Sequence, residues 1–304
     1  EAGVGKSRLF WEFAHSRRAR KWLILESRSV SYGKPIPYLP VIDLLRAYFH
    51  LDGRDDPGRI RQKVTDKVLA GDRQMAPSFP ALPSVLDVPT DDVTWERLVP
   101  PERRRRTLDA VKNLLLQESR VHPLALLLED LHGIDSETQA LLDGLVESLA
   151  GHPLLLLVNY RPGYQHGWAG KTFYTQLRID PLPPDEAEEL LQIVLGGGES
   201  LEPLKRLLIE RTEGNPFFME ESVRALAESG ILTGARGAYR LAGSIASIRV
   251  PPTVETILAA RIDRLAPEDK TLLQTAAVIG KEVSAWLLRA VAPLEDAGLA
   301  DSLS

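Results

Sequence analysis

Lys6 and Ser7 are the first residues of the chain whose types and spacing could do chemistry. They close the run Glu1-Ala2-Gly3-Val4-Gly5-Lys6-Ser7, with Arg8 next. Two glycines one residue apart let backbone N–H groups turn inward around an anion. The lysine brings a point charge to phosphate oxygens, and the serine hydroxyl is a ligand type for Mg²⁺. A helix expected from Arg8-Leu9-Phe10-Trp11-Glu12-Phe13 would aim its positive amino end at the same anion. Gly3, Val4, Gly5, Lys6, Ser7 and Arg8 are therefore read as a phosphate-binding set, the tail of G-x-x-x-x-G-K-[ST] without its opening glycine. That pattern puts a glycine and a buried strand ahead of Glu1, so the sequence reads as a segment that begins inside its own nucleotide site.

A second set of acids fits the first. Leu124-Ala125-Leu126-Leu127-Leu128 is an apolar run ending in Glu129-Asp130. Where ligands sit outside the carboxyl ends of parallel strands, two acids at such an end emerge into the site. One carboxylate holds Mg²⁺ and the next orients or deprotonates the attacking water. Glu129 is assigned to the metal, with Ser7, and Asp130 to the water. Glutamate stands where aspartate is usual, so the two roles are open to exchange. A third run, Leu154-Leu155-Leu156-Leu157-Val158, leads to Asn159-Tyr160-Arg161-Pro162. Arg161 is the first candidate for sensing a γ-phosphate and Asn159 the second; the alternative is that Arg161 only pairs with Glu129 or Asp130.

The elements that must position these groups follow from periodicity. The short apolar runs Trp22–Arg28, Leu124–Leu128 and Leu154–Val158 suit strands of a parallel sheet covered on both faces. Gln176-Leu177-Arg178-Ile179 reads as a last strand. Val41–Phe49 and Glu102–Ser119 carry apolar residues at helical spacing. Leu51–Pro101, interrupted by Pro77, Pro80, Pro83 and Pro89, reads as short helices and loops. Asp135-Ser136-Glu137-Thr138-Gln139 starts a helix with a Ser-x-x-Gln capping box. Arg103-Arg104-Arg105-Arg106 lie on a helix and point in four directions, so they are a solvated face or place at most one or two groups toward the nucleotide. Tyr164, His166, Trp168, Phe173 and Tyr174 are read as loop packing.

Past Pro184 the character becomes helical. Asp185–Leu191 has an acidic first turn and stops at Gly196. Gly214-Asn215-Pro216 ends one helix and starts the next. Ile231–Leu241 reads as a hairpin, and Val254–Leu265, Glu268–Ile279 and Val283–Val291 as helices.

Bulk properties narrow the function. At 304 residues the chain has room for two domains or more. A net charge of −5 lacks the electrostatic footprint of a nucleic-acid binder. With no cysteine, disulfides and thiolate metal sites are excluded. The first twenty residues carry a charged helical pattern instead of a signal peptide, and the longest apolar runs are too short to span a bilayer, so a cytoplasmic location is expected.

Taken together, GVGKS, LALLLEDLHGIDSET, LLLLVNYRPGY, EGNPFFMEE and VPPTVETILAARIDRLAPEDKTLLQTAAVIG resemble the STAND class of AAA-like P-loop ATPases. The likeness is nearest to the ATPase segment of bacterial regulators with a class III adenylate/guanylate cyclase domain before it and tetratricopeptide repeats after it. It implies an α/β fold: a parallel-sheet P-loop NTPase domain over 1–182, a helical lid with a hairpin over 183–245, and a partial winged-helix region over 246–304. It implies ATP or ADP with Mg²⁺ as ligands, slow hydrolysis, and a regulatory switch gating an output domain outside this segment. The attached cyclase and repeat domains would be its partners, with neither membrane nor nucleic acid engaged by this segment. By the same resemblance Pro216, in a G-x-P motif, packs on the nucleotide from the lid. His132 is followed by Gly133 where the family often has tryptophan. Two other readings are open: an interaction scaffold with a decayed site, and the ATPase module of a transcription regulator.

Overall fold

The computed structural model describes residues 2–29, 37–71, 80–90, 92–243, 259, 262–263, 265–279, 283 and 285–291. Two compact units divide the chain, Glu1–Ile179 and Asp180–Ser304.

In the first unit, helix α1 (Lys6–Ala14) precedes strand β1 (Leu23–Arg28), and helix α2 (Leu39–Tyr48) follows it. Then come α3 (Pro57–Gly71), α4 (Ala81–Val85), α5 (Val93–Glu96) and α6 (Pro100–Val121). Strand β2 (Leu124–Glu129), helix α7 (Ser136–Ser148) and strand β3 (Leu154–Val158) complete it. The strands form one parallel sheet in the order β1-β2-β3, with Leu23 opposite Leu124 and Leu124 opposite Leu154. Consecutive side chains point to opposite faces of a strand. Leu25, Leu124, Leu126 and Leu128 accordingly join the main core, with Leu44 and Leu45 of α2, Leu114 and Leu115 of α6 and Leu142 and Leu145 of α7. The other face carries Ile24, Ala125, Leu127 and Leu157, packed with Phe10 and Phe13 of α1. Both faces of β2 are covered, which is why its sequence is an unbroken apolar run.

Three sequence readings are corrected. Gln176–Ile179 is not a strand: the stretch is irregular, and Leu177 is 78% exposed with no sheet face to cover it. The cap of α7 is Asp135 rather than a Ser136–Gln139 box; its carboxylate accepts from the Glu137 and Thr138 N–H groups. Asp135 also takes the Thr138 hydroxyl at 2.6 Å and the Tyr38 N–H at 3.1 Å, uses that draw it into the core and that a serine could not match. The region of short helices includes the fifteen-residue α3, whose inward residues Ile60, Val64 and Val68 are separated by charge. The four arginines of α6 are tied locally: Arg103 to the Glu96 carbonyl, Arg104 to Glu137, and Arg105 and Arg106 to Glu102. The aromatic loop is packing except at Phe173, which is 47% exposed; Trp168 is buried and stacked on His166, with its indole N–H on Asp143.

The second unit holds α8 (Pro184–Leu195), α9 (Glu202–Thr212), α10 (Pro216–Glu228) and the antiparallel hairpin of β4 (Leu232–Thr233) and β5 (Arg240–Leu241). Its core gathers Leu191, Leu195, Leu204, Leu208, Met219 and Val223. Gly214 must be glycine: φ is +76°, and a Cβ would lie 2.2 Å from the Leu182 carbonyl oxygen. Helices α11 (Pro267–Ile279) and α12 (Ala285–Val291) follow. Of the helix read over Val254–Leu265 only residues 259, 262, 263 and 265 are described, and most of the expected winged-helix region lies outside the described residues.

Candidate functional site

The amino end of α1 is shaped by two left-handed glycines, Gly3 at φ +82° and Gly5 at φ +99°. Such conformations cost a residue with a Cβ about 1–2 kcal/mol, which explains the glycines. Gly5 caps the helix and, having no side chain, supplies no side-chain cap; Val4 is buried. The amino-terminal N–H groups and the helix dipole make an anion-binding end. Lys6 and Ser7 open the helix there. Arg8 points away: its guanidinium pairs with Glu12 at 2.5 Å and lies over the Trp11 ring.

Strand parity brings the remaining groups to α1. Arg28 follows Ile24 and Glu26 on the α1 face of β1; Glu129 follows Ala125 and Leu127, and Asn159 follows Leu157. Arg28 and Glu129 are register partners. At this shared carboxyl end, the Ser7 hydroxyl donates to Glu129 Oε2. Arg28 Nη2 donates to Glu129 Oε1 at 2.7 Å and to Ser7 Oγ at 3.2 Å. The Asn159 amide donates to Glu129 Oε2 at 3.5 Å, a long contact. Burial pushes the Glu129 carboxyl up. The hydrogen bonds from Ser7 and Arg28, the Arg28 charge and the Asn159 contact outweigh it and hold the group below its ordinary value.

Asp130 stands at φ +59° and ψ +44°, a left-handed turn out of β2. Its N–H donates to Asn159 Oδ1 at 2.8 Å, and the next N–H, of Leu131, donates to the Asn159 carbonyl at 3.0 Å. Asn159 is 7% exposed and thus fixes the direction in which the Asp130 carboxylate leaves the strand. That carboxylate is half-buried and makes no hydrogen bond among the described residues. Arg161 is exposed, and its side chain is not joined to Glu129 or Asp130; Arg28 makes the ion pair instead. Pro216 opens α10 in the second unit, after Asn215, whose side chain accepts the Phe218 N–H at 3.4 Å.

Arg28 was not singled out from the sequence. Its signal was its place: a polar residue at the end of a strand, in phase with Ile24 on the face that receives α1. The oxygen donors Ser7 and Glu129 suit Mg²⁺, a hard cation usually bound by one or two protein oxygens with substrate phosphates and water. Among the described residues no three His, Asp or Glu side chains gather as a metal-holding group.

The glycine loop at a helix amino end, facing acids at the end of a central parallel strand, defines a P-loop nucleotide-binding domain. The AAA ATPase domain family matches residues 1–158, more than half of the 304-residue chain, and the chain belongs to that family. It is also similar to an uncharacterized protein of Rhizobium meliloti (strain 1021), 26% identical over 314 residues; the match covers 96% of this chain and 28% of that protein. The chain therefore spans less than a third of that relative's length. Among the described residues no helix is long and apolar enough to cross a membrane.

Proposed function

We propose that this chain is the nucleotide-operated switch of a longer cytoplasmic regulatory protein, binding ATP or ADP with Mg²⁺ and hydrolysing ATP slowly. The observation that carries the reading is the convergence of Ser7 and Glu129 at a glycine-turned helix amino end. Family membership supports nucleotide binding and, with it, Mg²⁺.

Each residue has a task in this reading. Backbone N–H groups of the loop 3–7 and the Lys6 ammonium neutralise phosphate charge. Ser7 and Glu129 would hold Mg²⁺, which when bound neutralises charge on the phosphates. Asp130, aimed by Asn159, accepts a proton from or orients the attacking water. Arg161 and Asn159 lie past β3, where the γ-phosphate would be sensed. In the second unit Pro216 would pack on the nucleotide, and the output domain would be the class III nucleotide cyclase that the sequence likeness points to.

The test is paired. Asp130→Ala should abolish ATP turnover and leave ATP binding within about twofold, because it removes a group needed only in the chemical step. Turnover equal to wild type would remove Asp130 from its role.

A further inference from the structure

We infer that the Arg28 guanidinium is a built-in counter-cation of the site, bonded to the two oxygens that would take Mg²⁺ and displaced when the metal enters. The inference rests on the switch reading and adds a competition between a side chain and a metal ion.

Three observations carry it. A single nitrogen, Arg28 Nη2, donates to both Glu129 and Ser7, so one cationic group serves both proposed metal ligands. A Mg²⁺ ion needs its oxygens within about 2.1 Å, and a second positive charge on the same oxygens would oppose it. The Glu129 side chain is only 18% exposed, so leaving its charge without a cation is costly; Arg28 supplies one. The Arg28 side chain is 34% exposed and ends its strand, so it has a route out. Its third point is a deficit: buried Arg28 Nε has no acceptor among the described residues. A structural ion pair is normally saturated by further hydrogen bonds. This one is not, as a replaceable occupant would be.

Mg²⁺ alone is the probe, read by thermal unfolding of the protein with no nucleotide present and NaCl matched for ionic strength. Arg28→Gln should melt below wild type without metal and recover as Mg²⁺ is added. Its half-effect should come at about tenfold lower Mg²⁺ than wild type, the size of one charged hydrogen bond removed from the competition. Adding Glu129→Gln to that variant should abolish the response. Arg28→Lys keeps a point charge without the planar fork and should fall between the two. An identical Mg²⁺ response in wild type, Arg28→Gln and Arg28→Lys overturns the inference, as does a response that survives Glu129→Gln. Should Arg28→Gln fail to fold, Arg28→Lys against wild type decides by the same criterion. Binding of a fluorescent ADP analogue is measured alongside. Its absence from every protein would overturn the switch reading, while the metal response still decides the role of Arg28.

Discussion

Ser7 and Glu129 are 122 positions apart in the chain and are joined by a hydrogen bond at the amino end of α1. The connection is produced by parity and topology. β2 is the central strand, its alternate residues Ala125 and Leu127 pack under Phe10, and the next residue on that face is Glu129. The same packing that buries the apolar face of α1 delivers the acid to the phosphate loop.

Lys6 should carry nucleotide affinity. Lys6→Ala is expected to weaken ADP binding by at least about tenfold, since one charge-assisted contact is worth about 1.5–3 kcal/mol. Unfolding in urea should shift by about 1 kcal/mol or less, the ordinary cost of one half-buried side chain at a helix start. Equilibrium titration of a fluorescent ADP analogue reads the first, and the urea midpoint the second.

Asn159 should matter to stability and turnover together. Asn159→Ala leaves the Asp130 N–H without its acceptor, at a cost of about 1–3 kcal/mol for a buried unpaired donor. It also releases the aim of the Asp130 carboxylate, so ATP turnover should fall while nucleotide binding persists. Asn159→Asp keeps an acceptor for that N–H but sets a second carboxylate beside Glu129 Oε2, where the amide now stands at 3.5 Å, so at neutral pH it should not recover the stability, as measured by chemical unfolding.

Asp135 gives a pH signature distinct from the nucleotide site. Burial raises its carboxyl, but the Thr138 hydroxyl and the N–H groups of Thr138, Tyr38 and Glu137 outweigh that and lower it below the ordinary 3.8. A depressed carboxyl contributes stability that is present above its unfolded value and lost as pH falls through its folded value. The acid side of a melting-temperature profile should therefore steepen below the ordinary 3.8 and flatten in Asp135→Asn. Asp135→Ala should cost about 1–2 kcal/mol at neutral pH, the range of a lost helix cap.

Gly214→Ala tests the entry to α10. The added Cβ would meet the Leu182 carbonyl oxygen at 2.2 Å in a left-handed backbone. Strain and overpacking together should destabilise the second unit by about 3 kcal/mol. Limited proteolysis of that unit, with Gly230→Ala as a left-handed position without close atoms, separates the clash from the backbone term.

The sheet was legible because Trp22–Arg28, Leu124–Leu128 and Leu154–Val158 are short apolar runs, although only β2 is buried on both faces while β1 exposes Glu26 and β3 is half-buried throughout; the phosphate loop was legible because glycine, lysine and serine occupy fixed offsets. The acids followed from β2's end. What the sequence hid depended on neighbours. Arg28 looks like any polar residue closing a strand until register places it opposite Glu129. Asp135 outcompetes Ser136 as a cap because Tyr38, from nearly a hundred residues earlier, adds a donor to it. Gln176–Ile179 has strand-forming residues, but it joins no sheet among the described residues and Leu177 stays in solvent. Helix α3 was obscured because one narrow apolar stripe runs through Arg59, Arg61, Lys63, Asp66 and Lys67.

Isothermal titration of ATP with Mg²⁺ into wild type and Lys6→Ala addresses the nucleotide site most directly. One saturable site in wild type, lost or strongly weakened in the variant, is the predicted result. No binding to wild type, or binding that ignores the loss of Lys6, would contradict it.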